Sequence, residues 1–349
     1  MARRILLSGL ALAPLAAILD WVVGAGDVPV FCVSALALVP LAWVIGEATE
    51  QAAEHTGSRI GGFLNASFGN APELIIALFA ISDGLPDVVR GSITGSIVSN
   101  LLLVLGFALV ATDEEDIHRG SLASNLGLVV WASLLFLIPS LPGWSGDPDR
   151  HSLAIATIPV AAILLLFYFG QTSINLRQDR DQHRKEAAKS PAPQTLSLRN
   201  ALVLLAVATA ITAVVSEILV HTLEGFADSV GLSQFFVSAV IVAIVGNAAE
   251  HGGAVVIARR GKIRLASEIA VSSAAQVALF VAPLAALLSF LVRPPLPLAF
   301  RPVELATIAG SALFVGAVVW DRKGTRREGV LLLAGYVVCV VAYYLSGNR

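Results

Sequence analysis

The chain has 349 residues, of which 56% are hydrophobic and 14% charged, with a formal net charge of −2 at pH 7. Soluble domains average roughly 45–50% apolar and about 25% charged, so a soluble globular protein is excluded. The near-neutral charge says little about partners, of which no nucleic acid is expected, and the two cysteines, Cys32 and Cys339, both fall in apolar stretches, so a disulfide framework is not indicated.

The charges are segregated, leaving eleven apolar stretches near 5–23, 28–46, 61–82, 90–111, 121–139, 151–170, 199–222, 233–258, 265–292, 303–320 and 328–346. Each approaches the ~20 residues a helix needs to cross a ~30 Å hydrocarbon core. No alternating polar and apolar pattern marks a β-barrel, so the expected class is an all-α polytopic membrane protein. The first stretch follows Arg3 and Arg4 and precedes "APLAA", which resembles a signal peptide; no clear cleavage site follows, so it reads as a retained helix. The second ends in "GEATE" with Glu47 and Glu50, and the third contains "GNAPE" at 69–73. The fourth carries Ser96, Ser99 and Asn100, and is followed by "DEED" at 113–116, read as a solvated turn. A polar interruption after the sixth, with Pro191 and Pro193, reads as a cytoplasmic linker. The seventh holds Glu217 within "VVSEILVH", the eighth "GNAAE" at 246–250, and the ninth Ser273 and Gln276, with Glu268 solvated near an interface.

With the N-terminus placed in the cytoplasm, 18 Lys and Arg collect on the inner side against 5 outside, these being Arg90, Arg150, Arg293, Arg301 and Arg349. The positive-inside rule then orients the chain N-in and C-out. Sliding the sequence by 177 residues sets "GNAPELIIALFAISDG" over "GNAAEHGGAVVIARRG", so that Asn70 meets Asn247, Glu73 meets Glu250, Gly84 meets Gly261 and Ser99 meets Gln276. The turn after the first copy, "SDGLPDVVR", is weakly acidic; the turn after the second, "RRGKIR", is basic. Turns on opposite sides of a membrane explain that difference, and inverted repeats with binding groups near the midplane mark transporters. The expected organisation is an N-terminal transmembrane helix outside the repeats (1–24), a first five-helix repeat (25–170), a cytoplasmic linker (171–198) and a second, inverted repeat (199–349).

Asn and Glu three positions apart share a helix face, and Pro72 tends to free the carbonyl of Phe68. Two Glu, two Asn and exposed carbonyls make an all-oxygen site suited to a hard cation; Ca²⁺ takes 6–8 oxygens at about 2.3–2.6 Å. His251 adjoins Glu250 but points about 100° away around the helix. The competing reading is that both Glu only hydrogen-bond between helices. An ionisable group at the bilayer centre costs roughly 2.5–3.5 kcal/mol on insertion scales, so two at repeat-equivalent positions favour function. Ser96, Ser99, Asn100, Ser273 and Gln276 supply neutral oxygens, as small polar residues in helix packing also do; repeat symmetry favours a site role for Ser99 and Gln276, and for Asn100 packing is an equal alternative. No "HExxH" zinc motif and no embedded Ser–His pair points to an enzyme.

"GGFLNASFGNAPELIIALFAISDG", "SITGSIVSNLLLVLG", "FVSAVIVAIVGNAAEH" and "AVSSAAQVALFVAPL" resemble the two signature repeats of the Ca²⁺/H⁺ antiporters, the CAX branch of the cation/Ca²⁺ exchanger superfamily; "IGEATE" and "VSEILVHTLEG" extend the resemblance. It implies eleven helices and a secondary transporter, not an enzyme, that exchanges Ca²⁺ for H⁺ by alternating access. Glu73 and Glu250 then bind Ca²⁺ and protons in turn, lined by Asn70, Asn247, Ser99 and Gln276. The second and seventh helices become a mobile pair on which Glu50 and Glu217 serve gating or a proton pathway. No cofactor is implied, Ca²⁺ being the cargo; the partners are Ca²⁺, H⁺ and lipid, in the cell (inner) membrane of a bacterium. Sodium-coupled Ca²⁺ exchange and monovalent cation/H⁺ antiport fit the same fold, with a cation channel as a more distant alternative. The chain departs from the family at Ser272, Ser273 and Ala274, where glycine-serine commonly precedes the second-repeat glutamine, and at Arg264, where an aspartate often stands; these bear on affinity and regulation.

Overall fold

The computed structural model describes residues 2–112, 115–116, 119–186, 196–292, 294–320 and 323–347. Twelve helices carry the fold: α1 (Leu6–Val23), α2 (Asp27–Phe68), α3 (Ala71–Ser82), α4 (Pro86–Val110), α5 (Arg119–Gly143), α6 (His151–Glu186), α7 (Leu198–Val230), α8 (Gln234–Gly246), α9 (Ala248–Arg259), α10 (Ile263–Val292), α11 (Pro302–Val318) and α12 (Arg326–Gly347). Eight are long and apolar enough to cross a bilayer, α8 and α9 form a ninth segment bent by 56°, and α3 and α11 are two shorter apolar helices. Each of the eleven expected segments therefore finds a helix among the described residues. Short π-helical turns interrupt four of them, at Ile18–Val23, Ser99–Val104, Val237–Val242 and Val277–Val281.

Two boundaries differ from expectation. The anticipated loop between the second and third segments is replaced by helix, because α2 runs for 42 residues without a break. "EATEQAAE" at 47–54 is built of strong helix formers, so its polarity marks a helix emerging from the apolar layer rather than a turn. Likewise α6 continues to Glu186, well into the stretch expected as linker, while Pro191 and Pro193 lie outside the described residues. The "DEED" stretch is also more than a turn. Glu115–Asp116 forms an antiparallel two-residue ladder with Lys323–Gly324, tying the α5 entry to the α12 entry; Asp113 and Glu114 lie outside the described residues.

α2 and α7 share the most extensive helix–helix interface and run antiparallel. They are pinned at both ends: Phe31 stacks on Phe226 with centroids 4.1 Å apart, and His55 Nε2 bonds the Leu196 carbonyl at 2.8 Å. α4 packs against α8 through Gly91 and Gly95, a small-residue spacing that lets two backbones meet. A Cβ on Gly95 would run into the Ala239 carbonyl, and one on Gly91 into the Ser238 hydroxyl. The outer faces of the bundle expose Trp131, Leu166, Leu291, Val338 and Leu345. Serine and threonine inside mostly return their hydroxyls to their own helix, as Ser133 does to the Val129 carbonyl at 2.8 Å. An apolar exterior around a core with satisfied backbone is the arrangement a hydrocarbon solvent requires. The protein is an integral membrane protein.

Candidate ion-binding site

The two repeated motifs lie where helices break. Asn70 (φ −103°, ψ 20°) separates α2 from α3, and Asn247 (φ −92°, ψ 11°) separates α8 from α9. The near-identical backbone follows from the shared glycine-asparagine pair. Glycine gives no helical reinforcement, and asparagine competes for local hydrogen bonds. Pro72 stands in the first turn of α3, where its missing N–H interrupts no helical bond. Each break starts a helix whose first turn carries the carboxylate, Glu73 in α3 and Glu250 in α9. The unpaired amides of those first turns offset negative charge inside an apolar slab.

The motifs also meet. Gly246 of the second faces Glu73 of the first, so that an added Cβ would lie 3.5 Å from Glu73 Oε1. Glu73 and Glu250 are within electrostatic range of each other. Among the described residues, no ion pair with Lys or Arg involves either carboxylate. Glu73 is 5% exposed, and its Oε2 has no hydrogen-bond partner among the described residues. Glu250 is half-buried and accepts a short hydrogen bond from the Ser273 hydroxyl.

Amides join the two halves. Asn70 Nδ2 donates to Gln276 Oε1 at 2.9 Å, across the repeats. Asn247 Nδ2 donates to Ser96 Oγ at 2.8 Å and to the Ala243 carbonyl at 2.8 Å, while its Oδ1 accepts from Asn100 Nδ2 at 3.1 Å. Ser99 is buried, but its hydroxyl turns to the Ser96 carbonyl of its own helix at 3.3 Å. Asn100 therefore reaches Asn247 where the repeat register had pointed to Ser99. Asn100 Oδ1, buried and without a hydrogen-bond partner among the described residues, is a further oxygen beside the motif. Glu50 and Glu217 are both exposed, on α2 and α7, and the structure does not bring them into this amide network. Among the described residues no three His, Cys, Asp or Glu side chains gather as a metal cage. The donor set is instead two carboxylates with amide and hydroxyl oxygens, a hard-cation set that one divalent ion or two protons can neutralise.

Sequence reasoning passed over a second charged assembly. Arg90, at the start of α4, donates to Asp149 Oδ1 at 2.6 Å and to Asp87 Oδ1 at 2.8 Å, and Arg301 donates to Asp87 Oδ2 at 2.5 Å. The only sequence signal was Asp87 and Arg90 three positions apart; the other partners are 59 and 214 residues away along the chain.

A match to the sodium/calcium exchanger protein family covers residues 27–177 and 200–345. The chain is 36% identical over 341 residues to a Ca(2+)/H(+) antiporter of Aphanothece halophytica, spanning 91% of this chain and 90% of the relative. It is 35% identical over 348 residues to the Ca(2+)/H(+) antiporter ChaA of Bacillus subtilis (strain 168), spanning 97% of each. The solved structure of native YfkE superposes with a TM-score of 0.82 at 33% identity, covering 98% of this chain and 99% of that one.

Proposed function

Because the chain belongs to the sodium/calcium exchanger protein family, we infer that it exchanges Ca²⁺ for H⁺ across its membrane and that Glu73 and Glu250 carry both ions in turn. It is a secondary transporter, not an enzyme. The observation that carries the site reading is the meeting of the two repeated motifs, Gly246 of one facing Glu73 of the other, each with a carboxylate at a helix break inside the bundle and neither in an ion pair among the described residues.

Two carboxylates side by side in apolar surroundings are unfavourable when both are bare, through lost hydration and mutual repulsion. One Ca²⁺ removes both charges, as do two protons; one Na⁺ leaves a charge behind. A site that can pass between the two faces only when neutralised must trade one cargo for the other. Exchange is electroneutral if these two groups alone take part. Asn70, Asn247 and Gln276 supply amide oxygens and hold the two breaks together, Ser99 lines the same stretch of α4, and Glu50 and Glu217 serve gating or proton access on the exposed faces of α2 and α7.

The relatives in Aphanothece halophytica and Bacillus subtilis support a bacterial cell membrane as the location, and the charge bias of the loops supports an N-in, C-out orientation. The two motifs at equivalent breaks support division into inverted repeats at 25–170 and 199–349.

Proteoliposomes loaded at acidic pH test the coupling. Outward proton flux is expected to drive Ca²⁺ uptake with no sodium gradient, and uptake is expected to stop when the internal pH matches the external. Uptake that ignores the pH gradient but follows sodium would overturn proton coupling. Counterflow of Na⁺ or K⁺ against protons without Ca²⁺ would overturn the cargo.

A further inference from the structure

α4 carries Ser96 and Asn100 to Asn247, and the same helix begins at a charged assembly on one face of the bundle. Arg90 is 2% exposed, although a free guanidinium belongs in water. Its Nη1 and Nη2 reach both oxygens of Asp149 at 2.6 and 3.4 Å, and Nη2 also reaches Asp87 at 2.8 Å. Asp87 is held in turn by Arg301, whose guanidinium lies 5.0 Å from the centre of the Phe235 ring on α8. The Arg301 backbone N–H donates to the fully buried Glu304. The first turn of α4, the α5–α6 connection, the entry to α11 and the start of α8 thus converge on one cluster.

The repeat-equivalent positions do not carry the same set of charges. Displaced by 177 residues, positions 87, 90 and 149 become Arg264, Ser267 and Arg326, and among the described residues the ion pair of Arg264 is one of 3.8 Å with Glu268, its own side chain 62% exposed. The seam between α4 and α8 needs such an anchor. Gly91 and Gly95 bring the two backbones together, but a glycine offers no side chain to resist sliding along the helix axis. Arg90 held by Asp149 of the α5–α6 connection, and Asp87 held by Arg301 at the entry to α11, do resist it.

We propose that Arg90 is a positioning residue for exchange: held by Asp149, with its helix neighbour Asp87 tied to Arg301, it sets the depth of α4 so that Ser96 and Asn100 meet Asn247. Six and ten residues separate Arg90 from those two side chains, about 9 and 15 Å along one stiff helix, so an axial shift at one end is inherited at the other. A slip of about 1 Å takes a 2.8 Å bond beyond hydrogen-bonding range. The proposal rests on reading the Asn247–Glu250 motif as the ion site.

The test measures Ca²⁺ KM and maximal rate separately in proteoliposomes, normalised to folded transporter, for Arg90→Gln, Arg90→Lys, Ser96→Ala and the Arg90→Gln/Ser96→Ala pair. Arg90→Gln is expected to raise the Ca²⁺ KM about tenfold, with Arg90→Lys recovering part of it. In the Ser96→Ala background Arg90→Gln is expected to add little, since coupled residues are non-additive. If Arg90→Gln does not fold, Asp149→Asn is read the same way; Asp149 is 36% exposed, asparagine keeps an acceptor oxygen for Arg90, and Asp87 still pairs with the guanidinium. A change confined to the amount or thermal midpoint of the protein, with KM unaltered, overturns the proposal, as do effects that simply multiply with Ser96→Ala. Glu250→Gln run in parallel separates the two readings. Retained exchange there removes the ion site itself, whereas an inactive Glu250→Gln beside an unaltered Arg90→Gln removes only the anchor.

Discussion

The two repeats carry one motif in two surroundings. Glu73 is buried, with one oxygen that has no hydrogen-bond partner among the described residues, while Glu250 is half-buried and bonded to Ser273. The helices leading to the motifs differ more. α7 stops at Gly231 (φ 69°), and Ser233 then caps α8 by accepting from the Phe236 N–H at 3.1 Å. The repeat-equivalent positions are Glu54 and Thr56, both inside the unbroken α2, and the Thr56 hydroxyl donates to the Ala52 carbonyl at 3.0 Å. A glycine suited to a left-handed turn and a capping serine make a joint. Glutamate, a helix former, with a back-bonded threonine, makes a continuous rod. Sequence symmetry at the motif therefore coexists with asymmetry in the approach to it, and the asymmetry has a residue-level cause.

Three sets of variants sharpen or break that contrast. The largest effect is expected at the carboxylates. Glu73→Gln and Glu250→Gln keep shape but remove charge, and each should lose nearly all Ca²⁺/H⁺ exchange in proteoliposomes while still inserting in the membrane. Near-normal exchange by one of them would mean that the two sites differ in role as well as in surroundings. Next come Gly95 and its repeat partner Ser272. A Cβ at Gly95 meets backbone of α8, so Gly95→Ala should cost about 1–3 kcal/mol as overpacking, read as a lower thermal midpoint in detergent. The Ser272 hydroxyl only returns to the Ile269 carbonyl of its own helix, so Ser272→Ala should stay within about 0.5 kcal/mol. Equal shifts would show that both seams are equally tight. The smallest effect is expected from Arg264→Ala, the counterpart of Asp87. Its exposed 3.8 Å pair should leave the midpoint and the exchange rate within error, since such pairs contribute roughly 0–1 kcal/mol.

What the sequence made legible follows from what is local. Apolar length located the eight long apolar helices, the bent pair and the two shorter ones, and a glycine-asparagine break followed by a carboxylate located both motifs. The pairing of Asn70 with Gln276 across the repeats follows the same register that aligned Ser99 with Gln276. On α4 it is Asn100, the residue after Ser99, that reaches Asn247. Neighbours on a helix point about 100° apart, and nothing in "VSN" says which of them faces the partner. The fusion of the second and third segments was hidden because polarity at 47–60 reads equally as loop or as helix leaving the membrane. Arg90 looked like one more outer-side charge, since its partners come from distant connections that only the packed bundle brings together.

The π-helical turn at Ser99–Val104 bears on which insertions and deletions the chain can absorb. A π turn accommodates one residue more than an α turn. Removing one residue there would restore α geometry with little rotation of the rest of α4, whereas adding one would swing it by about 100°. Gly106 lies just beyond the turn, with its carbonyl against Gly329 of α12, so closely that a Cβ on Gly329 would sit 2.7 Å from that oxygen. After such an insertion Leu105 or Phe107 would be turned toward Gly329 instead. Tolerance to changes of length is therefore one-sided here: a residue dropped from the turn leaves Gly106 seated on α12, while one added reseats the helix.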